Sequence, residues 1–309
     1  MPKPNILLLF CDEFLWNALG YAGHPLVKTP NLDRLAAESA NFPHTYCASP
    51  ACLPARISLF TGQYAHTHGQ LANGEVRPGT RMFIETLREA GYHTGAVGKL
   101  HFLPLTNKNR FDSVLLHDEF KDSDYLRWLE SIDPKLAAYD VHAYPRPATG
   151  GTVFGSDIFA DGDKIESVIY GTSRLAAEHF YTQWVSDESI KYIEAHQREP
   201  FFLFVSFIGP HSPFIVPEPY DSMYDPKDIE LPQTWREDLS GKPRSQLRHR
   251  NLWGVEHISE QQLREISALY FGHHGLFYKG VMYDESLRIP LLIRDPGRKK
   301  GSVNEALVS

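Results

Sequence analysis

The chain has 309 residues, of which 42% are hydrophobic and 22% charged, and it carries a formal net charge of −7. This length supports one large α/β domain or two smaller ones around a sizeable core. The acidic balance excludes a nucleic-acid partner, since Arg244, Arg248, His249 and Arg250 form the one basic cluster and read as a solvated loop. Three cysteines, Cys11, Cys47 and Cys52, make no disulfide framework and fit a reducing compartment. No run approaches the ~18 apolar residues of a membrane helix. The first apolar run is too short and too early for a secretory leader, so the expected setting is the cytoplasm, without membrane contact.

Ile6–Phe10 is a short continuous apolar run and reads as a buried parallel strand. Asp12 follows it directly. Ligand sites in open α/β sheets gather at the carboxyl ends of strands, so Asp12 is a candidate hard-metal ligand, with Glu13 as a second oxygen. Thr29-Pro30 opens a capped helix. In Ser49-Pro-Ala-Cys-Leu-Pro-Ala-Arg-Ile-Ser-Leu-Phe-Thr-Gly62, Pro54 suits a first helical turn, Ala55 to Phe60 reads helical, and Gly62 ends it. Cys52 and Arg56 are four apart and share a face. The helix N-terminus and Arg56 together attract an anion beside Cys52.

Thr80 to Ala90 reads as a helix closed by Gly91, and His93 to Val97 as the next strand. This strand–helix–helix–strand order predicts an α/β fold, a mostly parallel central sheet with helices on both faces. Lys99 and His101 follow that strand and project to one side if the chain stays extended, as suits an anionic substrate. Phe111 to Gly171 reads as an irregular insertion, and Ser173 to His196 has helical periodicity. Phe201 to Phe207 is the clearest strand. Pro210 and Pro213 then hold His211 in extended backbone, apt for acid–base work or anion binding. Pro210 to Gly254 reads as a long loop region. Ser259-Glu-Gln-Gln262 is a capping box opening a helix to about Phe271. His273 and His274 are adjacent and point apart on a regular element, which disfavours a metal pair. Pro290 to Arg294 reads as a last strand.

Cys52-Leu-Pro-Ala-Arg56 resembles the Cys-x-Pro-x-Arg signature of the formylglycine-dependent sulfatases, a branch of the alkaline-phosphatase-like superfamily. The resemblance extends from residue 4 to the C-terminus through Pro4-Asn-Ile-Leu-Leu-Leu-Phe-Cys-Asp12, Lys28-Thr-Pro-Asn-Leu-Asp-Arg-Leu35, Gly91-Tyr-His-Thr-Gly-Ala-Val-Gly-Lys-Leu-His101, His211-Ser-Pro213, and Lys279 ahead of Tyr283-Asp-Glu-Ser286. It implies one sulfatase-like domain over 1–309 that cleaves a sulfate monoester of a small molecule or carbohydrate. Cys52, converted to formylglycine by a maturation enzyme, becomes nucleophile and metal ligand. Asp12 ligates Ca²⁺ (or Mg²⁺ or Mn²⁺), and Arg56 steadies the formylglycine hydrate. Lys99 and Lys279 bind sulfate oxygens, His101 assists collapse of the covalent intermediate, and His211 contacts sulfate or protonates the leaving oxygen. Glu13 stands where relatives vary, so its role stays open.

Two departures accompany the resemblance. Family members supply two further metal ligands, an Asp followed by His or Asn, from a late strand, and no such strand lies between Ser259 and Lys279. The chain also ends at Ala306-Leu-Val-Ser309, where relatives continue into a small C-terminal subdomain. The expectation is an incomplete sulfatase fold with half a metal cradle and impaired or absent turnover. The competing expectations are a phosphonate or phosphate ester hydrolase of the same superfamily and a non-catalytic sulfatase-like binding protein.

Overall fold

A computed structural model describes residues 3–118, 123–140, 152–153, 169–244, 246–247, 258–270, 287–297 and 301–309. Four parallel strands form the central sheet, in the spatial order Ile6–Asp12, Phe201–Pro210, His93–Gly98, Ser113–Leu116. Phe201–Pro210 lies inside the sheet because it is apolar on both faces. Phe202 and Phe204 join Leu53, Ile57, Phe60 and Ile84 in one core. Phe201, Leu203 and Val205 join Tyr125, Leu129, Trp184 and Val185 in a second. Helices therefore cover both faces: Cys52–Thr61 and Phe83–Glu89 on one, Asp124–Ile132 and Tyr181–His196 on the other. The parallel α/β architecture expected from the alternating pattern is present.

Two compact units make up the chain. The elements above belong to the first, built from described residues within 1–12, 51–152 and 169–222. The second draws on 13–50, 153–168 and 223–309. It contains helix Pro30–Glu38, with Pro30 in its first turn, and helix Glu260–Leu269. Ser259 Oγ accepts from the Gln262 backbone N–H at 3.2 Å, while Gln262 Oε1 accepts from the Ser259 N–H at 2.9 Å, which completes the predicted capping box. Short strands add to this unit: Arg288–Ile289 pairs antiparallel with Thr45–Tyr46, and Leu292–Ile293 with Ala40–Asn41.

Several boundaries differ from expectation for local reasons. The helix expected from Thr80 begins at Phe83, because the Glu85 carboxylate accepts the Met82 N–H at 2.8 Å and makes Met82 the cap. The Ser173–His196 periodicity yields a helix only from Tyr181, since Phe180 is extended. The segment expected to be irregular from Phe111 holds strand Ser113–Leu116 and helix Asp124–Ile132, capped by Ser123 Oγ accepting from the Leu126 N–H at 3.1 Å. The loop region after Pro210 contains strand Phe214–Val216, parallel to Ile169–Thr172. The last strand is split into two pieces around Pro290. His273, His274 and Lys279 lie outside the described residues. Among the described residues, no helix is long and apolar enough to cross a membrane.

One glycine sets a strand separation. Gly98 ends its strand at φ +98°, and a Cβ there would lie 2.0 Å from the Ser206 carbonyl oxygen. That oxygen accepts the Lys99 N–H at 3.0 Å, so the chain leaves the sheet at residue 98 while pressed against its neighbour.

Candidate active site

The carboxyl ends of three neighbouring strands meet the amino end of a helix. Asp12 closes its strand opposite Pro210, just past an irregularity in register after Cys11. Lys99 leaves the next-but-one strand; Ser206 lies within the strand between them, and His211 follows that strand's end at Pro210. Cys52 is the first residue of helix Cys52–Thr61, and Pro54 sits in the first turn, where a backbone N–H would have no intrahelical partner. Gly62 closes the helix at φ +65° with its N–H on the Ser58 carbonyl at 2.8 Å, as predicted. Ala51 has no side chain able to cap this helix. Asn73 supplies the missing acceptor, its Oδ1 taking the Leu53 N–H at 3.0 Å. Asn73→Ala is expected to lower stability by about 1 kcal/mol, read as a lower urea midpoint at unchanged slope; an unchanged midpoint would remove Asn73 from this role.

The charges are packed against one another. Lys99 Nζ lies 2.9 Å from Asp12 Oδ2 and Arg56 Nη2 lies 3.5 Å from the same oxygen, with all three side chains buried. Arg56 Nη1 donates to the Lys99 carbonyl at 2.7 Å and to Ser206 Oγ at 3.0 Å. Its guanidinium also stands 4.9 Å from the centroid of the Phe10 ring. Arg56 thus ties one strand end to another through bonds that run away from its own helix. One atom each of Asp12, Cys52 and His211 lie within 4.8 Å of one another. Cys52 is buried and outside any disulfide. His211 is half-buried, with Nδ1 2.6 Å from the Ser212 carbonyl oxygen.

His101 departs from the expected extended chain. It sits at φ +60°, in the left-handed region, so Lys99 and His101 do not project to one side as in a strand. The buried Asp118 holds this turn: its Oδ2 accepts the backbone N–H of Leu100 at 3.1 Å and of His101 at 2.6 Å. Asp118, Ser206 and Asn73 are supporting residues that the linear pattern did not single out. Each acts from a distant part of the chain through a hydrogen bond, for which no local motif exists. Nearby, burial above all, and Asp140 in addition, hold the Tyr181 hydroxyl protonated far above the usual phenol range. Glu13 belongs to the second unit, where its carbonyl accepts from the Tyr270 hydroxyl at 2.5 Å.

As a cradle for a hard divalent cation, the described cluster is short of donors. Ca²⁺ takes about 6–8 oxygen ligands. Among the described residues the cluster offers one carboxylate, one thiol and one imidazole, and that carboxylate already faces two cations. This set does not fit Ca²⁺.

The sulfatase family profile matches residues 4–309. An arylsulfatase of Clostridium perfringens is 30% identical over 353 residues, covering 97% of this chain and 71% of the relative. That alignment is longer than the chain itself, so the relative carries residues along it that this chain lacks. An ulvan-active sulfatase of Formosa agariphila is 28% identical, with 96% of this chain and 57% of the relative covered; the chain spans less than two thirds of that protein. The fold matches the crystal structure of a phosphonate monoester hydrolase of Agrobacterium radiobacter with a TM-score of 0.72 at 23% identity, over 99% of this chain and 71% of that one. With a family match over almost its whole length and a relative at this identity, the chain belongs to the sulfatase family.

Proposed function

We propose that this chain hydrolyses sulfate monoesters of small molecules or carbohydrates, at a rate impaired by its incomplete metal cradle, with a formylglycine made from Cys52 by a separate maturation enzyme as the nucleophile. The observation that carries the reading is the meeting of Cys52, Asp12, Lys99, Arg56 and His211 where strand ends face a helix N-terminus. The substrate class follows the family and is supported by a fold neighbour whose structure holds its substrate D-glucosamine-2-N,6-O-disulfate.

An unconverted thiol would attack sulfur poorly and leave a stable sulfur adduct. The aldehyde hydrate has two hydroxyls. One would attack the sulfate sulfur, releasing its own proton to solvent, while the bond from sulfur to the alcohol oxygen breaks and His211 gives that oxygen a proton. The second hydroxyl then loses its proton to His101, the carbon–oxygen bond to sulfate breaks, and the aldehyde returns for rehydration by water. Lys99 and Lys279 offset charge on the sulfate oxygens. Arg56 keeps Lys99 and Asp12 in place and so steadies the hydrate's surroundings. Of the described residues, Asp12 and the residue-52 diol are the oxygen donors that would face a divalent ion, too few to complete a Ca²⁺ site.

The test uses protein co-produced with a maturation enzyme, with conversion at residue 52 checked by intact mass. A panel of aryl and sugar sulfates, phosphonate monoesters and phosphate esters is then assayed. Sulfate release above the other two classes is expected. Preferential phosphonate or phosphate cleavage would replace the proposal with the ester-hydrolase alternative, and no turnover with tight binding of sulfated sugar would replace it with a binding role. Calcium supplies a further prediction. With so few oxygen donors, converted and metal-stripped protein should respond to Ca²⁺ with half-saturation at about 10⁻⁴–10⁻³ M or weaker. Retention of one tightly bound ion through dialysis would contradict this.

A further inference from the structure

Residue 52 decides which class of metal the cluster holds. We propose that the unconverted chain binds Zn²⁺ through the Cys52 sulfur, an imidazole nitrogen of His211 and the Asp12 carboxylate, and that conversion of Cys52 to formylglycine abolishes this site.

The donor chemistry comes first. A thiolate, an imidazole and a carboxylate are a borderline-soft set of the kind that holds Zn²⁺ with a fourth position left for water. The same set fails for Ca²⁺, as described above. The spacing is compatible. Zinc bonds of about 2.0–2.3 Å place neighbouring ligand atoms roughly 3.3–3.8 Å apart. The three atoms here lie within 4.8 Å of one another, so modest side-chain rotation closes the site.

The setting of His211 is the second observation. Its Nδ1 lies 2.6 Å from the Ser212 carbonyl oxygen, which accepts a hydrogen bond from the Nδ1–H and so puts the ring's lone pair on Nε2. Metal-binding imidazoles are held in this way, by a carbonyl or carboxylate on the ring's other nitrogen. His211 is also the least buried of the three ligands and gives an ion its entry, while Cys52 and Asp12 form the buried floor. Lys99 and Arg56 act in both directions: their charge favours an anionic sulfur and opposes an incoming cation. Affinity therefore lies below that of a closed structural zinc site. Conversion of residue 52 by the maturation enzyme, a two-electron oxidation by an external oxidant in which water supplies the aldehyde oxygen and the sulfur leaves as sulfide, removes the sulfur donor and turns the preference toward hard ions. The proposal stands on the encoded residues and does not depend on the hydrolytic reading.

The experiment takes the full chain produced without a maturation enzyme and titrates it with Co²⁺, a spectroscopic stand-in for Zn²⁺. A near-ultraviolet sulfur-to-cobalt charge-transfer band with strong tetrahedral visible bands is expected at one equivalent, with displacement by Zn²⁺. Zn²⁺ should also slow alkylation of Cys52, and a chelator should restore it. Cys52→Ser should lose the charge-transfer band, and His211→Ala should weaken binding roughly tenfold or more. Thermal unfolding of each variant confirms that it is folded. Weak octahedral bands identical in wild type and Cys52→Ser, or unchanged alkylation with Zn²⁺, would overturn the proposal. Cobalt binding by unconverted protein whose converted form is inert toward all esters would sink the hydrolase reading alone. Sulfate hydrolysis by converted protein, with no cobalt band before conversion, would sink the zinc site alone.

Discussion

Cys52→Ala, in protein produced alongside a maturation enzyme, is expected to lower sulfate-ester turnover by about 10⁴-fold or more, the scale on which removing a nucleophile acts. The fold should barely notice. Cys52 occupies a helix start, and alanine deletes one sulfur atom at a cost of about 1 kcal/mol. Cys52→Ser separates the two halves of the proposed chemistry. A single hydroxyl can take up sulfate but has no second hydroxyl to expel it, so at most one equivalent of alcohol should be released before the reaction stalls. Mass spectrometry of the stalled protein should show the sulfate on residue 52. Steady turnover by either variant would mean that residue 52 is not the nucleophile.

Arg56→Met is expected to carry the largest stability cost, about 3–5 kcal/mol, because it removes one member of a buried charge cluster and leaves the others in place. Lys99 Nζ would remain on Asp12 Oδ2, but the Lys99 carbonyl and Ser206 Oγ would each lose the donor that joins them. Arg56→Lys should be intermediate. One ammonium cannot reproduce a planar fork that donates to both of those oxygens while facing Asp12. Urea unfolding of the three proteins measures this order, and a loss under about 1 kcal/mol for Arg56→Met would show that the cluster relaxes around the gap. The proposed role of Arg56 in catalysis is thus inseparable from its role in holding two strand ends together.

The sequence made the sheet legible where burial is continuous. Phe201–Phe207 reads as a strand because its side chains are buried on both faces, which leaves an uninterrupted apolar run. Ile6–Phe10 forms the expected strand but is not buried as expected: among the described strands it lies at the edge of the sheet, with Leu7 and Leu9 exposed. Helix ends were legible where a local side chain decides them, as at Ser259 and Gly62. They were less so at Tyr181, where the preceding periodicity is spent on extended chain and a single short turn. The strand Ser113–Leu116 was missed because four residues carry little pattern, and its identity comes from pairing with His93–Gly98. At the site, Asp12, Lys99 and His211 stand out because each ends or follows a strand, and Cys52 because it opens a helix marked by Pro54 and Gly62. Ser206 and Asp118 do not: one is a polar residue within an apolar strand, the other a carboxylate whose partners are backbone N–H groups 17 and 18 residues earlier. The left-handed turn at His101 follows from that same carboxylate, so an extended projection was the natural expectation from sequence.

Gly98 carries a consequence for how this molecule can be altered. Every other amino acid adds the atom that would meet the Ser206 carbonyl, and every one except glycine resists the backbone angle found there. Random mutagenesis therefore meets a closed door at this position with every amino-acid replacement, because the obstacle is common to all side chains. The harm would be felt at Lys99, the next residue, as a widened distance to Asp12 rather than as a chemical change. A library meant to shift substrate preference should hold position 98 constant and spend its diversity on surface loops, where an added side chain meets only water.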